Sequence, residues 1–173
     1  EYLNQGLDTK SPGYNRDDRD VKSAFLGYLL ANNKFDAQAN IRFDDYSEYG
    51  DQTTYNLGGA YHINSNLRVG ANYAKGFRVP TFNDLYPGFG GDPDLKSETS
   101  DNYEAFIEYD TVLQSTRLTS YQNKVDDLIV SPAPTYQTVN INEAKIKGIS
   151  LTSDWILNNY LFGGSYDYQS AKD

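Results

Sequence analysis

Phe35, Ala37, Ala39, Ile41 and Phe43 alternate without a break with Asp36, Gln38, Asn40, Arg42 and Asp44. A period of two sends successive side chains to opposite faces of a strand, so this stretch predicts one apolar face and one face of charges and amides. The period returns in Tyr55, Leu57, Gly59, Tyr61 and Ile63, in Leu67, Val69, Ala71 and Tyr73, and in Tyr103, Ala105, Ile107 and Tyr109. Val139, Ile141, Ile149, Leu151 and Trp155 continue it but are interrupted by Glu143, Lys145 and Lys147, and the last set, Tyr160, Phe162, Gly164, Tyr166 and Tyr168, switches parity. A charge on a lipid-facing strand near the midplane costs ~2–4 kcal/mol, so the interruption, with Gly148, predicts that the upper half of that strand leaves the apolar band. Phe25, Leu26, Tyr28, Leu29 and Leu30 break the alternation.

Eight strands are predicted, at 21–31, 34–46, 52–63, 66–77, 101–112, 114–131, 136–156 and 159–171. Short connections built from turn formers, at Asn32-Asn33, Asn64-Ser65-Asn66, around Val112-Leu113 and at Asn158-Asn159, alternate with long polar ones at Ser47–Gln52, Gly76–Ser100 and Ser131–Thr135. The pattern implies an all-β fold, an antiparallel up-and-down meander with short turns at one end and long loops at the other, which is the layout of an outer-membrane barrel.

Composition supports a sheet between two solvents. Of 173 residues only 38% are hydrophobic and the mean hydropathy is −0.69, lean for an enzyme built on a buried core. Sixteen Tyr against one Trp suit a boundary between apolar and wet surroundings. Without Cys there is no disulfide framework, thiolate nucleophile or Cys-ligated metal. The absence of Met from a chain opening at Glu1 reads as a piece of a longer protein. A net charge of −9 with scattered Lys and Arg argues against nucleic acid as a partner. Asp17, Asp18 and Asp20, then Asp44, Asp45, Glu48 and Asp51, then Asp92 and Asp94 are read as solvated loops, with an oxygen-rich calcium site as the sharper alternative. No stretch reaches the ~18 apolar residues of a membrane helix.

Catalysis finds little footing. The single His, His62, falls on the polar face beside a turn, where a hydrogen-bonded filler is the expected role. Asp126 and Asp127, like Asp44 and Asp45, are adjacent and so point to opposite faces, which does not suit paired acid and base. Gly90-Gly91 lacks the Lys-Ser/Thr and helix of a phosphate cradle. The chain is read as a non-enzyme, with no cofactor.

Residues 76–104, GFRVPTFNDLYPGFGGDPDLKSETSDNYE, are too long for an ordinary hairpin. The Gly-Phe-Arg-Val-Pro-Thr run, then Leu-Tyr, then Asp-Pro-Asp-Leu-Lys-Ser-Glu, resembles a motif of TonB-dependent outer-membrane transporter barrels. Tyr121–Ile129 and Asn142–Ile149 are similar to further stretches of that family in the same order. The resemblance covers the chain from about Val21 onward, and within the family Tyr121–Ile129, Ala144–Gly148 and Ser165–Tyr168 look most like the cobalamin transporters. It implies a barrel of about 22 strands, an N-terminal plug, and drive from the TonB energy-coupling complex through that plug.

On this reading residues 1–173 are a partial barrel domain of a Gram-negative outer membrane: a polar loop and the end of a preceding strand over 1–20, strands over 21–171, and no plug. Its partners are the lipid bilayer, the TonB complex through the missing plug, and cobalamin or another large nutrient, with Arg78, Tyr86 and Phe89 as loop candidates for ligand contact. Its edges near 21–31 and 159–171 are left unpaired, so the isolated piece is expected to close into a smaller barrel, pair with another copy, or aggregate. An iron-chelate receptor, a small eight-stranded barrel with a structural or adhesion role, and a soluble β-sheet binding module are the alternatives.

Overall fold

Three of the four short turns close on one device, a side-chain oxygen that caps the backbone just beyond it. Asn32 Oδ1 accepts from the amides of Lys34 and Phe35 at 2.8 and 3.0 Å, and Asn64 Oδ1 from those of Asn66 and Leu67 at 2.9 Å each. Thr111 Oγ1 accepts from Leu113 and Gln114. The fourth turn puts Asn158 at φ 56°, a left-handed position that Asn tolerates.

The computed structural model describes residues 1–6, 18–86 and 90–172; Asp17 and Phe89 lie outside the described residues. Its strands are β1 (Tyr2–Gly6), β2 (Asp18–Ala31), β3 (Phe35–Tyr46), β4 (Gly50–His62), β5 (Leu67–Arg78), β6 (Glu98–Asp110), β7 (Gln114–Val130), β8 (Val139–Leu157) and β9 (Tyr160–Lys172), with one helical turn, α1 (Phe82–Leu85). They form one antiparallel sheet in chain order, β1 through β9. The meander is as expected, with β1 as a ninth strand in the segment 1–20, where the end of a preceding strand is expected. β1 pairs with β2 from Tyr2–Lys22 to Gly6–Asp18, so it covers only the start of the segment 21–31, and residues 24–31 have β3 alone beside them among the described residues. β1 and β9 are the sheet's two ends, and the described sheet is open rather than closed into a small eight-stranded barrel.

Register converts the alternation into a surface. Directly opposed residues share a face: Tyr28 opposes Ala39, Ala39 opposes Leu57, Leu57 opposes Tyr73 and Tyr73 opposes Tyr103. Farther along, Ile107 opposes Leu118, Leu118 opposes Leu151, and Leu151 opposes Tyr166. One apolar face therefore runs from β2 to β9, and Leu26, Leu57, Leu151 and Tyr166 on it are all exposed. No second layer covers it among the described residues. Phe25 and Leu29 break the pattern because they lie on the polar face, opposite Arg42 and Gln38.

Several predicted loop residues belong to strands. Asp18 and Asp20 are in β2 and Asp51 in β4, so the β3–β4 connection shrinks to 47–49, while Asp44 and Asp45, grouped with the loop acids, lie in β3 as the predicted strand 34–46 has them. Asp44 stays in the strand because its carboxylate is satisfied there, by Ser23 Oγ at 2.5 Å and Arg42 Nε at 2.9 Å. β6 begins at Glu98, whose side chain is held from two sides, and β8 begins only at Val139, after a loop with Tyr136 at φ 53°. Among the described residues no helix is long and apolar enough to cross a membrane, which leaves crossing by strands open.

Candidate functional site

The long β5–β6 connection is folded, not slack. Thr81 caps α1: its Oγ1 accepts from Asp84 N at 3.2 Å while Asp84 Oδ2 accepts from Thr81 N at 2.8 Å, a reciprocal capping box. The chain then doubles back. Gly91 N donates to Tyr86 O at 3.0 Å and Asp92 N to Asp84 O at 2.9 Å, and a Cβ at Gly91 would lie 2.4 Å from Tyr86 N, so only glycine fits. Leu85, Leu95 and Ile129 meet beneath it as a small buried cluster. This is where the protein buries apolar side chains together, at the long-loop end of the sheet.

Three anchors hold the loop down. Arg19, 3% exposed, donates from Nη2 to Pro80 O at 3.0 Å, lies 3.7 Å from Glu48, and stacks over the rings of Tyr49 and Phe82 at 5.3 and 5.1 Å. Glu98 Oε1 accepts from Arg78 Nη1 at 2.7 Å and from Ile129 N at 2.8 Å. Asn140 accepts from Lys96 N at 2.9 Å and donates to Lys96 O and Asp127 O at 3.0 and 2.7 Å. Thr138 N to Gly90 O, 2.7 Å, joins the loop to the β7–β8 connection.

Of the loop candidates, Arg78 ends β5 with its guanidinium 46% exposed and shared between Glu98 and Asp84. Tyr86 is 4% exposed and stacked on Phe82 with centroids 6.3 Å apart. The loop as folded covers Tyr86, and it would meet a ligand only if the loop lifted. Phe89 lies outside the described residues. Glu98 closes the Asp-Pro-Asp-Leu-Lys-Ser-Glu run, whereas Arg19 and Asn140 belong to no motif in the sequence and look like ordinary polar residues until strands far apart in the chain meet.

A second charged assembly lies on the polar face toward the short turns. His62 Nε2 and Asp36 Oδ2 are 2.8 Å apart, and Arg68 lies 3.6 Å from the same carboxylate. Glu108, 7% exposed, takes Arg68 Nε on Oε1 at 2.7 Å and Arg117 Nη1 on Oε2 at 2.8 Å, while Arg117 also reaches Glu104 at 2.9 Å. The Arg117 guanidinium sits 3.7 Å over the Phe106 ring. Five strands, β3 to β7, are tied side to side by these charges. Among the described residues no three of His, Asp and Glu come together to hold a metal.

The two later motif stretches lie side by side: Tyr121 opposes Gly148 and Val125 opposes Ala144. A Cβ on Gly148 would stand 2.5 Å from Tyr168 O and 2.6 Å from the Tyr121 hydroxyl, so the glycine makes room for the tyrosine laid across it.

A family model described as TonB dependent receptor-like, beta-barrel matches residues 2–173. Among known proteins, the chain is 34% identical to the vitamin B12 transporter BtuB of Photobacterium profundum, over 100% of this chain and 30% of that protein. It is also 34% identical to BtuB of Vibrio vulnificus, over 80% of this chain and 23% of that one. The fold is shared with the siderophore receptor PirA of Pseudomonas aeruginosa, with TM-score 0.78 and 21% identity over 90% of this chain and 32% of the receptor. The chain thus spans about a third or less of the length of the relatives it matches. With the family model spanning the whole sheet from β1 to β9, the chain belongs to the TonB-dependent receptor β-barrel family.

Proposed function

We propose that this chain is a section of the wall and outer rim of an energy-coupled outer-membrane transporter for a bulky scarce nutrient, and that the nutrient is a cobalamin. The observation that carries the substrate is 34% identity to a vitamin B12 transporter along the whole chain, loops included. The iron-siderophore receptors among the structural relatives support only the fold. The chain's work is non-enzymatic: it offers surfaces and holds loops. The complete protein sits in the outer membrane of a Gram-negative cell, carries an N-terminal plug, and is driven by the TonB complex through that plug.

On this reading the apolar face meets lipid and the polar face meets the lumen and plug. Arg78 offers its exposed guanidinium at the rim as a polar anchor for ligand, Tyr86, buried against Phe82 in the folded loop, joins it as an aromatic contact only when the loop lifts, and Phe89 is the other aromatic candidate. The section alone transports nothing, because its two end strands need neighbours to complete a barrel.

The test is binding of radiolabelled cobalamin to outer membranes of cells making the complete protein, with ferric siderophores as competitors. Saturable binding displaced by unlabelled cobalamin and not by siderophore is expected. Displacement by a siderophore alone would assign the protein to iron uptake.

A further inference from the structure

The polar face carries a neutral belt between two charged zones. Asn40 opposes Asn56, Asn56 opposes Ala74, Ala74 opposes Asn102 and Asn102 opposes Asn123, so four carboxamides stand in one rung across β3 to β7. One step toward the short turns, Gln38 opposes Gly58 and Gly58 opposes Asn72. On β3 the next residues along this face are charged in both directions and already held. Arg42 is held by Asp44 at 2.9 Å on the long-loop side, and Asp36 by His62 at 2.8 Å and Arg68 at 3.6 Å on the short-turn side. Glu104, which opposes Asn72 in the second rung, is tied to Arg117 at 2.9 Å. The belt itself offers donors and acceptors without charge.

The sheet is shaped around these amides. A hollow of about 440 Å³ opens over Gln38, Asn56, Asn72, Asn102 and Asn123. A Cβ at Gly58 would collide with Asn72 Oδ1 and press on Gln38, so the glycine lets both amides lie flat against the wall. Among the described residues one hydrogen bond joins two amides of the belt, from Gln38 Nε2 to Asn56 Oδ1 at 3.1 Å. Asn123 Oδ1 is closed off from solvent without a hydrogen-bond partner, so that oxygen gives up no bond when the amide turns toward the hollow.

We propose that this belt is a transit site beneath the long loops for a ligand fringed with carboxamides, each side-chain amide accepting one N–H from a ligand amide and donating one to its carbonyl. The inference rests on the cobalamin reading and deepens it: the corrin ring carries carboxamide arms around its edge, and the hollow takes one edge of so large a ligand. Hydrogen bonds between neutral groups are weaker than charge-assisted ones. A site on a pathway has to release its ligand as well as take it, and a row of weak neutral sites lets a large ligand exchange one contact for the next.

Cells making the complete protein are loaded with radiolabelled cobalamin while de-energised, washed and re-energised, and both the label bound and its rate of entry are measured. The triple variant Asn56→Ala, Asn102→Ala, Asn123→Ala should bind cobalamin as the parental protein does and internalise the bound label about tenfold more slowly, the worth of one or two neutral hydrogen bonds. Ser150→Ala, on the same face outside the belt, should change nothing. On the parental protein, a corrinoid whose carboxamides are methyl esters, which accept but cannot donate, should enter about tenfold more slowly per bound molecule. That comparison needs no variant and decides the matter if the triple variant fails to assemble. Entry at the parental rate by the triple variant, or at the cobalamin rate by the ester, would overturn the site. So would passage of a bulky antibiotic through the triple variant but not the parental protein, because the belt would then be sealing the barrel against its plug. Failure of the parental protein to bind cobalamin at all would instead sink the substrate reading on which the site rests.

Discussion

Arg19 and Pro80, 61 residues apart in sequence, are joined by a 3.0 Å hydrogen bond from a guanidinium that is 3% exposed. The bond ties β2 to the loop that follows β5, and the Tyr49 and Phe82 rings enclose the charge. Removing Arg19 leaves the Pro80 carbonyl and the Glu48 carboxylate in place without it, and breaking a buried charged contact typically costs ~3–5 kcal/mol. Arg19→Met should therefore release the loop while the barrel persists. Limited proteolysis of the complete protein should show new cleavage within residues 79–97, at unchanged heat-modifiable mobility.

Asn140 replaces backbone pairing where the loop crosses β8, with three hydrogen bonds to Lys96 and Asp127. Each is worth about 1 kcal/mol net, so Asn140→Ala should destabilise the rim by about 2–3 kcal/mol. Hydrogen exchange should quicken at Lys96 and its neighbours and stay slow in the middle of β6 and β7. Asn140→Asp keeps the acceptor for Lys96 N and loses the donors, so it should fall between the two.

Glu108 is the hub of the polar-face assembly, since both Arg68 and Arg117 converge on it. Those arginines are about a third exposed, which weakens what the pairs contribute. Glu108→Gln should cost about 2 kcal/mol, read as a lowered urea midpoint of the complete barrel in vesicles. The loss should shrink as salt rises, because the parental protein is then screened as well.

The sheet was legible because a two-residue period on a half-apolar surface is written directly in composition, as Phe35–Asp44 shows. Within 1–20 only the end of a preceding strand is expected, because Tyr2–Gly6 is short and mostly polar; the bounds and place of β1 are set by pairing with β2, which no local pattern records. Asp18 and Asp20 read as loop because acidic residues cluster in loops, yet both lie in β2, where Asp18 opposes Gly6 and Asp20 accepts from Tyr2 and Asn4. The site is less legible still. Arg78 is reached only through a family motif, and its ties to Glu98 and Asp84 are visible only in the fold. Arg19 sits in a run of acids that reads as solvated chain, and only tertiary closure over 61 residues reveals it as the anchor.

Gly148 is where two motif stretches meet. A side chain there would press on the Tyr168 carbonyl, which is backbone and cannot step aside, as well as on Tyr121. Gly148→Val should cost about 1–3 kcal/mol through overpacking. Tyr121→Ala in the same background should recover only part of it, because the contact with Tyr168 O remains. Denaturant titration of the single and double variants measures the difference.

Leu151 and Thr152 are neighbours in β8 on opposite faces: Leu151 opposes Leu118 and Tyr166, Thr152 opposes Arg117 and Ser165. Leu151 lies six residues from the short-turn end at Leu157, which at about 3.3 Å per residue and a tilt of about 40° puts it about 15 Å up, near the middle of the apolar band. Leu151→Arg should cost ~2–4 kcal/mol against lipid and lower the yield of heat-modifiable barrel in outer membranes. Thr152→Arg adds the same charge one residue away, on the face that already carries Arg117, and should assemble normally. Equal yields for the two variants would mean that the continuous apolar face does not meet lipid. A lower yield for Thr152→Arg alone would mean that the faces are inverted.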